Sequence, residues 1–375
     1  MLSASQNTLT HFESQALHGG LNVSDGHPRM RLTASQEQIV DRLPKLFREA
    51  KHRQFDDVEQ EAQRAFLSGI GQVRAPIGSD RLLSCYSSST ATDIVARALS
   101  GRTSSVALIH PTFDNIPDLL KARGLTLHPV GELEFEDDAC QQLPAHVGAV
   151  FVTTPNNPTG WVLTAGSLAK IADVCAQSGR VLVLDTCFRA HDLRAQYDTY
   201  EILDHSGAEW VVIEDTGKVW PVLELKAGFL AWGERTNLEL LTGFNDVLLT
   251  MSPVILLLIR ELAQDGVRGG YAQLHRLLAE NRALLESALS GSPLALADPD
   301  SRISVARVTW DVTAKDATDV YRELLAAHRV HTLPCGPFHW ARPQEGQRML
   351  RLALGRDGAE VSAAAKVLAE IANRW

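Results

Sequence analysis

A chain of 375 residues with 45% hydrophobic content carries enough apolar side chain for two domains with cores of their own, which excludes a largely disordered polypeptide. Its 45 acidic against 36 basic residues give a net charge of -9, and with no Lys/Arg block the sequence argues against nucleic acid as a partner. No apolar run reaches the roughly 20 residues needed to span a bilayer, and the start MLSASQNTLTHFESQ lacks the basic and apolar regions of a signal peptide, so the expectation is a cytoplasmic protein with no membrane partner.

The first 45 residues, interrupted by Pro28 and Pro44, read as an arm or lid that belongs with a small domain, ahead of a large domain over 46–245 and a small carboxyl-terminal domain over 246–375. Within the arm, THFESQAL (10–17) forms one or two amphipathic turns with Thr10 and Glu13 on the side facing a pocket. From Ser84 to Gly233 the β-rich runs SVALIH, GAVFVTTP, RVLVLDTC and EWVVIED alternate with helical stretches, the pattern of a parallel sheet covered by helices. Such sheets bind ligands at the carboxyl ends of their strands. The polar clusters HPTFDN, TTPNNPTG, DTCFRAHD and EDTGK each follow an apolar run directly, so four loops converge on one site. Beyond Thr250, long helical segments lead to strand-like SVARVTW and MLRLAL, separated by a helix at DATDVYRELLAAHR, which makes a smaller α/β unit. Cys85, Cys140, Cys175, Cys187 and Cys335 are scattered without a CxxC pair; they read as reduced thiols, and no metal site is expected.

Three features carry chemistry. In TTPNNPTG two prolines and a glycine fix an extended turn that aims Asn157 away from the backbone, although a plain tight turn has the same composition. Asp185 closes VLVLD at the carboxyl edge of the sheet, where a helix cap is the alternative. VVIEDTGK puts Lys218 on a loop after a strand, with Lys226 just before the Ala227-Gly228 pair; a solvent-facing lysine is the alternative there.

In order, spacing and strand context these motifs resemble the fold-type I pyridoxal-phosphate enzymes of the aminotransferase superfamily, from about Leu21 to the carboxyl end. The resemblance implies an α/β fold, with a mostly parallel sheet in the large domain and a smaller α/β domain, and pyridoxal 5'-phosphate as cofactor. It implies that Asn157 bonds the cofactor's phenolic oxygen, that Asp185 pairs with the ring nitrogen, and that Lys218 carries the cofactor as a Schiff base and then moves the substrate α-proton. Lys226, in place of the usual arginine, meets the phosphate. Phe113 falls where the family stacks an aromatic on the ring, and Cys187 where a small residue packs on the other face. Ser87, Ser88 and Ser89 open a helix whose backbone N–H groups and dipole suit a phosphate. Arg351 in MLRLAL matches the arginine that grips the substrate carboxylate as a fork.

Two departures narrow the resemblance. Phe188 stands where most of these enzymes have a Tyr on the phenolic oxygen, and Asp215 stands three residues before Lys218, where a phosphate-binding Ser is usual. A carboxylate there repels phosphate and suits a cationic substrate group; a carboxylate tied up by neighbouring backbone N–H groups is the alternative. The segment LNVSDGHP aligns with the family's stretch beside the substrate and brings Asp25, Gly26 and His27 to the site, with solvent exposure as the alternative for His27.

Together with CYSSS, LDTCFR, LKAG and FHW, these departures resemble the pyridoxal-phosphate- and oxygen-dependent L-arginine hydroxylases/oxidases of antibiotic pathways, of the enduracididine type. That resemblance implies L-arginine and O2 as reactants and 4-hydroxy-2-oxoarginine and 2-oxoarginine as products, with ammonia and hydrogen peroxide released. Glu13, Asp25 and Asp215 are then candidates for the guanidinium, Thr10, Gly26, Asn157 and Arg351 for the rest of the substrate, and His27 for the oxidative steps. Fold-type I sites are completed by a neighbouring subunit, which implies a homodimer. An aminotransferase acting on a cationic amino acid is the alternative; a non-catalytic sensor is disfavoured by the full catalytic set.

Overall fold

The computed structural model describes residues 8–136, 139–312 and 315–375; the first seven residues of the expected arm lie outside the described residues. The arm opens with helix α1 (Leu9–Ala16), capped by Thr8, whose side chain accepts the His11 N–H. Leu9, Phe12 and Ala16, three and four residues apart, form its buried face, and Thr10 and Glu13 lie beside that face. The two-residue strand β1 (Leu21–Asn22) follows.

The large sheet contains β2 (Leu82–Cys85), β3 (Ser105–His110), β4 (Thr126–Gly131), β5 (Ala149–Thr153), β6 (Val181–Asp185), β7 (Glu209–Asp215) and β8 (Gly228–Trp232), ordered β2-β8-β7-β6-β5-β3-β4. Strands β5 and β6 are buried along their whole length, which is why they read as unbroken apolar runs and not as alternating ones. Helices α2 (Ser88–Ser100) and α3 (Asn115–Ala122) follow β2 and β3. The expected parallel arrangement holds from β4 to β7, whereas β8 runs antiparallel to both β7 and β2. The chain leaves β7 by a short loop without a crossover helix, and such a connection returns a strand antiparallel to the one it has just left.

Strands β9 (Leu294–Leu296), β10 (Val305–Trp310), β12 (Leu333–Pro334) and β13 (Met349–Ala353) make a second, antiparallel sheet ordered β12-β13-β10-β9. Helix α4 (Ala317–His328) leads into β11 (Val330–His331), which pairs in parallel with β1, Leu21 opposite Val330. The Ala353 N–H donates to the Val23 carbonyl at 2.8 Å, so the arm is tied both to β11 and to the edge of the second sheet's β13 segment. The later part of the arm behaves differently: the helices over Ala34–Val40 and Leu43–Ala50 pack against the helix Pro253–Asp265. Among the described residues no helix is long and apolar enough to cross a membrane.

Candidate active site

Registry in the large sheet sets the ends of the central strands level, with Thr153 opposite Asp185 and Asp185 opposite Ile213. The residues after β3, β5, β6 and β7 therefore open on one edge. There they line a cavity of about 370 Å³, which takes in every cofactor-side candidate from Ser87 to Lys226 together with Thr10, Glu13, Gly26, His27, Asp215 and Arg351. Asp25 stands outside it. It lines an outer hollow of about 750 Å³ that shares Thr10, Glu13, His27 and Lys226 with the inner one.

At the floor, Asp185 is buried and its Oδ1 accepts the Cys187 N–H at 3.0 Å. Burial pushes its carboxyl up, the Cys187 bonds oppose that, and among the described residues it makes no ion pair. A buried carboxylate in this state stays ionised only beside a cation, so a protonated ring nitrogen fits the position. Asn157 commits its Oδ1 to Arg351 Nη1 at 3.0 Å, which leaves its amide N–H groups as the donors facing the cavity. Phe113 lines the same cavity, its ring 6.2 Å from that of Phe338. Phe188 is buried against His191, the ring centroids 5.4 Å apart, and offers no hydroxyl.

Two amines share one imidazole. Lys218 Nζ lies 3.3 Å and Lys226 Nζ 3.1 Å from His27 Nε2, so that nitrogen is the acceptor and the ring proton resides on Nδ1. His27 Nδ1 faces Asp25 Oδ1 at 3.6 Å and Glu224 Oε1 at 3.7 Å. The Lys218 charge, then burial, hold His27 below its ordinary value against the pull of Asp25. A Cβ at Gly26 would stand 4.0 Å from Lys218 Nζ, an ordinary van der Waals contact, so the arm passes directly beside the lysine. Lys226 also pairs with Glu224, whose backbone and that of Leu223 are left-handed at φ 68° and 52°. Such strain in non-glycine residues is worth about 1–3 kcal/mol and gathers at functional loops.

The acids differ in their freedom. Asp25 accepts from Asn22 at 2.9 Å and Arg29 at 3.2 Å, and meets Arg356 at 3.4 Å. Burial works against its charge, but the His27 hydrogen bond and the Arg356 and Arg29 charges outweigh it and hold the carboxyl well below the usual range. Asp215 accepts the backbone N–H of Ser88 at 2.7 Å and that of Gly217, the arrangement weighed above as the alternative to a substrate contact, and the bond occupies one N–H of the helix start expected to meet phosphate. Glu13 Oε1 lies 3.4 Å from Arg351 Nη2.

Arg351 is fully buried over the Phe338 ring, 4.9 Å from its centroid. It donates to Ser24 O at 2.6 Å, while its Nε is buried with no partner, an orphaned donor of the kind a carboxylate satisfies. The donor set as a whole, an uncompensated carboxylate below, two amines at one wall and a helix start opposite, fits pyridoxal 5'-phosphate.

Residues not singled out from the sequence complete the site. Glu224 joins Lys226 to His27, and Arg356 donates to the carbonyls of Asn22 at 2.7 Å, His27 at 2.6 Å and Asp25 at 2.9 Å. No local motif marks either, since the arm residues that both meet lie on a distant segment. Behind the site His110, His339 and Glu345 bring three ligand-type atoms within 4.8 Å of one another. Arg307 lies 3.4 Å from His339 Nε2 and can only donate, so His339 carries its proton on Nδ1 and directs it to Glu345 at 3.4 Å. That trio is a hydrogen-bonded network.

Comparison with known proteins agrees with this geometry. The family model of aminotransferase class I and II matches residues 56–368. The structure of MppP soaked with the product 2-ketoarginine is 44% identical, covers 94% of this chain and 99% of its own, and superposes with a TM-score of 0.91. Aspartate aminotransferase from Thermus thermophilus with maleate shares the fold at 15% identity, with 97% and 96% coverage and a TM-score of 0.79. A threonine-phosphate decarboxylase from Sinorhizobium sp is 29% identical over 193 residues, 50% of this chain and 52% of that protein, so the match spans about half the length of this curated relative.

Proposed function

From the premise that this chain belongs to the class I and II aminotransferases, a pyridoxal-phosphate-dependent family, we propose that it is an oxidase/hydroxylase that uses O2 to convert L-arginine to 4-hydroxy-2-oxoarginine and 2-oxoarginine. The observation that carries this reading is the placement of His27, on the arm and between Lys218 and Lys226, in a cavity that acids of the arm and of β7 also reach. The product named with the MppP structure supports the same substrate class.

Pyridoxal 5'-phosphate, when bound, supplies a sink for the electron pair left by the departing α-proton. Asp185 holds the ring nitrogen protonated, Asn157 donates to the phenolic oxygen, and Ser88, Ser89 and Lys226 meet the phosphate. Arg351 takes the substrate carboxylate on its unpartnered Nε edge. Lys218 would be the base placed to take the substrate α-proton. Glu13 offers its carboxylate to the guanidinium, Asp215 adds negative charge from its place on the N–H groups of Ser88 and Gly217, and Asp25 acts through His27, whose Nδ1–H it orients and whose Nε2 it thereby keeps as the proton acceptor. Oxidation to 2-oxoarginine consumes one O2 and one water and releases ammonia and hydrogen peroxide. The hydroxylated product takes a second O2 to peroxide and adds a second water's hydroxyl to the chain. The apolar Leu241, Val247 and Leu249, exposed along one short segment, suit burial against a second copy in a homodimer.

The deciding experiment is product mass from L-arginine in air and under nitrogen, with no 2-oxo acid supplied. Oxoarginines, ammonia and peroxide in air alone are expected; turnover that requires a 2-oxo acid and ignores oxygen would make the enzyme an aminotransferase of cationic amino acids.

A further inference from the structure

Helix α1 has eight residues, too few to persist alone in water, so its place over the cavity depends on its ties. On one side Phe12 meets Tyr321 of α4 edge-on with centroids 4.9 Å apart, and the Tyr321 hydroxyl donates to Gln15 at 3.0 Å. On the other side of the cleft Leu9, the first residue of the helix, donates its backbone N–H to Asp114 Oδ2 at 2.8 Å, across 105 residues of chain. Asp114 directly follows Phe113 and precedes α3, yet its side chain makes no capping bond to its own helix. The residue is 5% exposed, and its Oδ1 is buried with no partner. A buried carboxyl group whose single short bond reaches a distant helix start serves the position of that helix.

We propose that Asp114 is a positioning residue that latches α1 over the cavity, so that Thr10 and Glu13 face the substrate only while the Leu9–Asp114 bond is made. The proposal rests on the functional reading above only in taking α1 to cover the place where substrate reacts. The charged groups around Asp114 are Asp118 on α3, Glu13 on α1 and Arg351 on β13, and Lys121 and Asp316 line with it a separate hollow of about 450 Å³. Burial pushes the carboxyl up to about 7; the Leu9 bond and Arg351 oppose this, and Asp118 and Glu13 add to it. With α1 lifted the carboxyl meets water and returns toward its ordinary 3.8. Between these two values the latched form binds a proton that the open form does not, so the latch strengthens as pH falls from about 7 toward 3.8 and stays at its weakest, independent of pH, above about 7.

The test is hydrogen exchange of the holoenzyme without substrate, corrected for intrinsic rates, from pH 6 to 8 on a scale set by the value of about 7. Asp114→Ala is expected to speed exchange over residues 9–16 by about five- to tenfold while β5 to β7 stay protected, and to raise KM more than it lowers kcat. Asp114→Asn keeps an acceptor oxygen and should restore protection but abolish its pH dependence. Wild-type exchange of α1 in the alanine variant, or a wild-type pH slope in the asparagine variant, would overturn the latch; should the alanine variant fail to fold, the slope alone decides. Neither reading depends on arginine being the substrate, so the latch and the proposed reaction can fail separately.

Discussion

His27 accepts a hydrogen bond from Lys218 Nζ at 3.3 Å across 191 residues of sequence, and the charge of that lysine is the chief reason the imidazole sits below its ordinary 6.5. The folded chain therefore binds fewer protons than the unfolded chain between the depressed value and 6.5. His27 weakens the fold as pH falls through that window and has no such effect above it. With Lys218 as the proposed anchor and Lys226 at the phosphate, cofactor binding would remove the free ammonium of Lys218 and bring negative charge beside Lys226. Both changes should raise His27, so its imidazole signals, followed by NMR, should titrate at higher pH in the holoprotein than in the apoprotein. An equal or lower value in the holoprotein would place His27 away from the cofactor.

Lys218 is expected to be the covalent anchor of the cofactor. The isolated protein should be yellow, and borohydride should bleach it and add the reduced cofactor mass to the peptide containing Lys218. Lys218→Ala should lose the reducible adduct; an adduct that persisted, on Lys226 or elsewhere, would transfer the role.

Substrate choice should follow the free acid of the arm. Glu13 has one oxygen toward Arg351 and is only partly buried, so it can turn to a guanidinium. Glu13→Gln is expected to raise KM for L-arginine about tenfold, the scale of one charge-assisted hydrogen bond, with little change for a neutral amino acid. Steady-state kinetics on L-arginine, L-leucine and L-glutamate would check this, and equal turnover of all three by the wild type would remove the guanidinium argument.

Much of the frame was legible because burial writes itself as composition: β3, β5 and β6 are fully buried runs, and Asn157, Asp185 and Lys218 follow their strands at the edge where ligands bind. The antiparallel course of β8 was not, since an apolar run carries no direction. Nor was the state of the acids. Asp25 and Asp215 read equally well as free carboxylates, and only tertiary contact shows the first between Arg29 and Arg356 and the second on the N–H groups of Ser88 and Gly217. Glu224, Arg356 and Asp114 leave no local pattern, because each acts on a segment far away in the chain.

Arg356 illustrates how much the arm depends on one such contact. Its guanidinium is wholly buried and supplies donors to three arm carbonyls and to Asp25. Arg356→Met should leave those carbonyls without their donors and Asp25 with Arg29 as its remaining arginine, a loss of about 3 kcal/mol by analogy with other broken buried pairs. The urea midpoint should fall, and proteolysis should cut first within residues 17–33. A variant with an unchanged midpoint and an intact arm would show that the arm is held by the β1–β11 pairing instead.

The same geometry separates two roles at the reacting carbons. On the proposed reading the cofactor is held by Asp185, Asn157 and the serines of α2, which line the cavity independently of His27, so His27→Ala should keep the visible band and still react with L-arginine. On the proposed reading Lys218 takes the α-proton and the carbons further along the substrate extend toward the arm, where His27 Nε2 is an acceptor with Asp25 behind its Nδ1. Without that acceptor, proton movement beyond the first oxidation should slow while the first oxidation continues. The product ratio should shift from 4-hydroxy-2-oxoarginine to 2-oxoarginine, with peroxide still released in proportion to oxygen consumed. His27→Asn, which replaces the imidazole by an amide that takes no proton near neutrality, should behave as the alanine variant does. If both variants, run to complete turnover and analysed by mass, gave the wild-type ratio, His27 would be a spacer between Lys218 and Lys226, and the acceptor for the later protons would have to be sought in Lys218 itself.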